Sequence, residues 1–109
     1  MPVNEKQAIV SGKAPNPVGP YNPGIKTGNM IFCSGQAGVD RETGKLVAGG
    51  VEAETRQVLM NLKYVLEAAG ASLENIVKTT VFLRDMADFP RMNAVYAEFF
   101  PDTPPARST

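Results

Sequence analysis

From Val51 to Ala69 the apolar residues recur with a helical period, and no other segment of this sequence restricts the fold so strongly. Val51, Thr55, Val58, Leu59, Leu62, Val65, Leu66 and Ala69 fall at i, i+4, i+7, i+8, i+11, i+14, i+15 and i+18, which puts them on one helical face. Glu52 and Glu54 complement the positive end of the helix dipole, and Gly70 stands where a left-handed C-terminal cap is expected. A helix with one apolar face must bury it against a second layer.

The rest of the sequence supplies that layer. Ile25 to Ser34 predicts a hairpin turning at Gly28-Asn29, residues suited to positive φ. Its second strand, Met30 to Ser34, is apolar on both faces until Gly35. It is expected to be central in the sheet and covered on both sides, with Cys33 buried as a small apolar residue. Glu5 to Val10 predicts a short first strand, and Val39 to Val47 an irregular strand-turn-strand excursion. Between Gly12 and Gly24, Pro15, Pro17, Pro20 and Pro23 forbid regular structure around Tyr21.

Ile76 to Asp85 alternates and is rich in β-branched residues, with Val77, Thr79, Val81 and Leu83 on one face and Ile76 and Phe82 among polar residues on the other. Asp88 is the expected N-cap of a second helix, Pro90 suits its first turn, and Met92, Val95, Tyr96 and Phe99 form its apolar stripe until Pro101. No element is predicted from Asp102 to Thr109, although such a helix normally delivers the chain to another strand. The order of elements gives an α+β fold, a two-layer sandwich of a mixed β-sheet with both helices packed on one face.

Composition removes whole classes of chemistry. The 109 residues read as one domain, 1–109, and eleven basic residues balance eleven acidic ones, so no net field draws the chain to nucleic acid or an anionic membrane. Histidine is absent, which excludes Ser-His-Asp and Cys-His systems and His-based zinc sites. One cysteine, Cys33, cannot form an internal disulfide, and the N-terminal residues lack the apolar core of a signal peptide. A reducing, cytoplasmic setting without a membrane span is expected, and no metal or redox cofactor. A domain this small buries only about two thirds of its unfolded surface, which favours self-association.

No phosphate loop, dinucleotide fingerprint or nucleophile elbow occurs. Three segments nevertheless form a specific combination: Gly19-Pro20-Tyr21, Ser34-Gly35-Gln36 and Pro105-Ala106-Arg107-Ser108. Their order and spacing resemble the YjgF/RidA family of small imine and enamine deaminases. The likeness runs on through Glu67 to Gly70, Ile76 to Leu83 and Asn93 to Phe100, covering nearly the whole chain from Pro15. It implies a chorismate-mutase-like fold, a homotrimer with clefts between subunits, and a small 2-imino or 2-enamino acid as substrate.

The resemblance also implies roles residue by residue. Arg107 corresponds to the arginine that anchors a substrate carboxylate, a task suited to a planar guanidinium with paired donors. Tyr21 is similar to the tyrosine that lines the cleft and orients water. Ser34 and Gly35 resemble strand-end positions bordering the pocket, and Asn93 a helix asparagine nearby. Read without the family, Arg107 is a solvated charge, Tyr21 a loop anchor, Ser34 and Gly35 a strand end, and Asn93 a helix-packing amide. Thr109 stands where many relatives carry Cys after Arg-Ser, a position at which the family accepts other residues. The resemblance also implies a final strand bearing a glutamate that positions water, and this sequence, which ends at Thr109, is expected to lack it. Two other functions stay open: an endoribonuclease or translation inhibitor, and a non-catalytic carboxylate-binding trimer.

Overall fold

In the computed structural model, which describes residues 5–109, helix α1 spans Gly50–Ala68, within one residue of the range its periodicity predicts. Met1 to Asn4, the start of the segment read above for a leader, lie outside the described residues. At Gly70 φ is +81°, and the amides of Gly70 and Ala71 reach back to the carbonyls of Glu67 and Leu66 at 3.0 and 2.9 Å. These are the two bonds of a Schellman cap, which a residue with a Cβ forms only with strain. Glu52 is the acidic residue of the first turn.

Strands β1 (Gln7–Ile9), β2 (Gly24–Thr27) and β3 (Met30–Cys33) form an antiparallel sheet in that order. The hairpin turns where expected, with Thr27 paired to Met30. Gly28 has φ of +58° while Asn29 stays outside the positive-φ region, so one of the two expected positive values is used. Val39 and Leu46 form an isolated antiparallel bridge, the irregular excursion anticipated.

Strand β3 departs from expectation: it lies at the edge of its sheet, and Met30, Phe32 and Cys33 are exposed. Ile31 alone of the strand joins the cluster around Val65. Helix α1 covers one face of this sheet through Tyr64 and Val65, and Met30 and Phe32, which alternate to the other face, are left exposed. An apolar run does not distinguish that situation from two-sided burial.

The segment Ile76 to Asp85 contains a strand of three residues only, β4 (Lys78–Thr80). Its partner is β5 (Ala106–Ser108), in the tail where no element was expected. The two run parallel, pairing Thr79 with Arg107, and the ladder closes with Val77 O accepting from Ala106 N at 3.1 Å and Ser108 O from Val81 N at 2.8 Å. A partner this short limits how much of the alternating segment is counted as strand. Thr79, Val81 and Leu83 turn inward as predicted, but Val77 is 78% exposed, and Phe82 on the opposite face is 91% exposed.

Helix α2 spans Phe89–Phe99 with Pro90 in its first turn. Asp88 stands at the N-cap position as expected, but its side chain makes no capping hydrogen bond; the carboxylate that caps is Asp85, which accepts from Ala87 N at 2.9 Å at the head of a 3-10 turn, Met86–Asp88. Asp88 pairs instead with Arg91. The 3-10 turn moves the start of helical backbone one turn upstream, and the cap moves with it.

Helix α1 links two cores. Leu59 packs with Met92, Tyr96 and Phe100 of α2 and its end, against Val81 and Leu83 beyond β4. Val65, wholly buried, packs with Ile9, Ala14 and Ile31 at the antiparallel sheet. Burial of a side chain such as Met92 or Val65 contributes on the order of 1.5–3 kcal/mol. Both ladders therefore meet one helical layer, an α+β sandwich whose mixed strands fall into an antiparallel and a parallel group.

Candidate functional site

Arg107 is the middle residue of β5, half-buried in a strand of three residues. Its Cζ lies 4.8 Å from the ring centre of Tyr96 and 5.3 Å from that of Phe89, within the range of cation–π attraction. Phe89 and Tyr96 are seven residues apart on α2, hence on one face. Among the described residues no hydrogen bond or ion pair engages the Arg107 guanidinium. It is held by ring faces with its N–H donors uncommitted.

Asn93 lies between those two rings on the same helix face. Its Oδ1 is buried and, among the described residues, has no hydrogen-bond partner. An unpaired buried acceptor costs about 1–3 kcal/mol. Next to β5, Lys78 Nζ donates to Ser108 Oγ at 3.1 Å and to Thr80 Oγ1 at 3.3 Å, fastening the strand pair from outside.

Tyr21, Ser34 and Gly35 sit together elsewhere, at the end of the proline loop and of β3. Ser34 Oγ donates to the Asn22 carbonyl at 2.6 Å, and Ser34 N to the Pro23 carbonyl at 2.9 Å. Tyr21 is about half exposed, and its hydroxyl accepts from Val18 N at 3.4 Å. A Cβ added at Gly35 would meet nothing within 4 Å, so open space adjoins this backbone.

The expected residues thus fall into two groups, Arg107 with Asn93 and Tyr21 with Ser34 and Gly35, and among the described residues no hydrogen bond joins one group to the other. A cleft of about 390 Å³, lined by Glu67, Glu74, Glu98, Phe99 and Asp102 among others, includes none of the five. Phe89, Tyr96 and Thr79 were not singled out as site residues, because Tyr96 reads as helix core and Thr79 as strand. The available signal was the stripe Phe89, Asn93, Tyr96, a polar residue set between two aromatics at helical spacing. Among the described residues no group of three or more His, Cys, Asp or Glu side chains is placed to hold a metal ion.

Cys33, expected to be buried, is exposed on β3, although partial desolvation still pushes its thiol above the usual range. No helix of the described residues is long and apolar enough to cross a membrane.

The fold and these two residue groups define a small α+β domain that presents an arginine from a short strand against an aromatic helix face. Residues 11–109 match the family model described as Endoribonuclease L-PSP, and the chain belongs to that family, the YjgF/RidA proteins. It is 51% identical over 102 residues to a RutC family protein of Pyrococcus horikoshii, covering 94% of this chain and 81% of the relative. It is 44% identical over 103 residues to the mouse 2-iminobutanoate/2-iminopropanoate deaminase, covering 94% and 76%. The crystal structure of the E. coli YjgF gene product superposes with a TM-score of 0.88 at 47% identity, covering 94% of this chain and 82% of that one.

Proposed function

We propose that this chain is a deaminase that hydrolyses small 2-imino acids and their enamine tautomers, of the 2-iminobutanoate and 2-aminoacrylate type, to 2-keto acids and ammonia. The observation that carries this reading is the half-buried Arg107 guanidinium, stacked on Phe89 and Tyr96 with its donors uncommitted. A carboxylate meets such a fork in a bidentate pose, and a buried aromatic wall strengthens the pairing.

The chemistry asks little more of the protein. A protonated 2-imino acid takes up water at the imine carbon, the carbon–nitrogen bond breaks in the tetrahedral adduct, and the products are a 2-keto acid and ammonium. The iminium is already electrophilic, so positioning and a modest proton acceptor suffice and no cofactor is needed. Asn93 Oδ1, buried and unpartnered, is suited to accept from the substrate nitrogen or from water. Tyr21, Ser34 and Gly35 then supply the opposite wall.

Those two walls meet if the protein is a homotrimer with its clefts between subunits, which is the assembly we assign. Support comes from the apolar side chains left exposed on a single chain, among them Met30, Phe32, Val77 and Phe82. The lone unpaired Cys33 accords with a cytoplasmic setting. RNA cleavage is the second reading, favoured by the description of the family model; a net charge of zero opposes strong binding to a polyanion.

The test is keto-acid release from freshly generated 2-iminobutanoate, comparing the chain with Arg107→Ala. Loss of one partner of a desolvated charge pair predicts a fall of about a hundredfold in kcat/KM. Equal rates for the two proteins would overturn the reading, and salt-sensitive RNA cleavage by both would put the ribonuclease in its place.

A further inference from the structure

We infer that Tyr96 and Thr79 form a positioning device for Arg107, a hydroxyl pair that fixes the aromatic wall against which the guanidinium is presented. The inference rests on the deaminase reading of the Arg107 site and adds residues that reading does not use.

Three contacts close on one another. Thr79 is the strand partner of Arg107 in the parallel β4–β5 ladder. Thr79 Oγ1 and Tyr96 Oη are 2.7 Å apart, with either able to donate. The Tyr96 ring centre is 4.8 Å from Arg107 Cζ. The strand register ties Arg107 to Thr79, the hydroxyl bond ties Thr79 to Tyr96, and the ring face ties Tyr96 back to Arg107.

The arrangement answers a problem set by the fold. β5 is three residues long and paired on one side only, and an arginine there has many rotamers available. Backbone pairing fixes its Cα but leaves the guanidinium free. Tyr96 is a rigid support: it is buried, its ring packs on Phe100 at 4.7 Å, and its hydroxyl is committed to Thr79. It restrains the guanidinium through a ring face, which occupies none of the N–H donors. Tyr and not Phe is used because the hydroxyl links α2 to β4, so the wall and the strand carrying Arg107 keep one spacing.

The test measures steady-state hydrolysis of 2-iminobutanoate, binding of 2-oxobutanoate by titration calorimetry, and thermal stability for Tyr96→Phe, Thr79→Val, Thr79→Ser and Arg107→Ala. Loss of the hydroxyl pair is expected to raise KM and weaken 2-oxobutanoate binding by about threefold to tenfold in Tyr96→Phe and in Thr79→Val. In both, kcat stays within about twofold, because the substrate anchor and not the bond-breaking step is disturbed. Thr79→Ser, which keeps the hydroxyl, restores binding, and the double variant Tyr96→Phe with Thr79→Val is no weaker than either single one. If Tyr96→Phe and Thr79→Val lower stability but leave KM and 2-oxobutanoate binding unchanged, the pair is structural only and the inference is overturned while the deaminase reading stands. If Arg107→Ala itself keeps turnover and binding, the deaminase reading falls and this inference with it.

Discussion

Arg41 Nη1 donates to the main-chain carbonyl of Ala14 at 2.6 Å, and the same nitrogen lies 3.3 Å from the Ser11 carbonyl and from Asn16 Oδ1. One guanidinium thereby ties the excursion after Val39 to the proline loop that carries Tyr21. Removing it in Arg41→Ala is expected to cost about 1–2 kcal/mol, as for hydrogen bonds with one charged partner at a partly exposed site. Urea unfolding checks the magnitude. Faster proteolysis between Lys13 and Tyr21 in the variant would locate the effect in the loop.

Asn61 is fully buried on α1. Its Nδ2 donates to the Val39 carbonyl at 3.0 Å and to that of Ala37 at 3.4 Å, while Oδ1 accepts from Gln57 Nε2 at 2.8 Å. Asn61→Leu leaves the Val39 carbonyl without a donor, while that of Ala37 keeps the Val39 amide at 2.7 Å, and is expected to destabilise by about 1–3 kcal/mol. A melting temperature unchanged in calorimetry would show that the loop finds other partners.

Gly38 crosses α1 so closely that an added Cβ would stand 2.8 Å from Glu54 Cα and 3.0 Å from Glu54 O. The obstacle is helix backbone, which cannot rotate away as a side chain does. Gly38→Ala is therefore expected to cost about 1–3 kcal/mol by overpacking. Gly35→Ala, with open space around its Cβ, serves as the control and should unfold within about 0.5 kcal/mol of the parent chain.

Partial burial raises the Cys33 thiol above its ordinary value of 9.0. Desolvation disfavours the thiolate, so the folded chain holds the proton more tightly than the unfolded one. The stability tied to this group is fully present below pH 9 and is lost as pH rises toward the folded value. Alkylation of the native protein by iodoacetamide should accordingly be slow at neutral pH, exposed though Cys33 is, with a rate midpoint above 9.0. A midpoint at or below 9.0 would contradict it. Cys33→Ala should flatten the alkaline stability profile.

Much of the local structure was legible because it depends on neighbours in sequence. The α1 stripe from Val51, the cap at Gly70, the Gly28 turn and the stop at Pro101 each follow from periodicity or from one residue's backbone preference. The motifs around Tyr21, Ser34 and Arg107 likewise pointed to the family that the comparisons show. Tertiary structure decided what depends on distant partners. An apolar run from Met30 does not say whether the edge of a sheet or its centre will receive it, and here it received the edge. The residues 106–108 have no periodicity of their own and become a strand only because β4 offers a parallel ladder. The setting of Arg107 is of the same kind: its wall joins α2 to β4 and β5 through contacts 11 to 28 residues apart in sequence, between Arg107, Tyr96 and Thr79. Such contacts exist only after the chain has closed on itself, because hydrophobic pattern specifies which face is buried and not which side chain will face it.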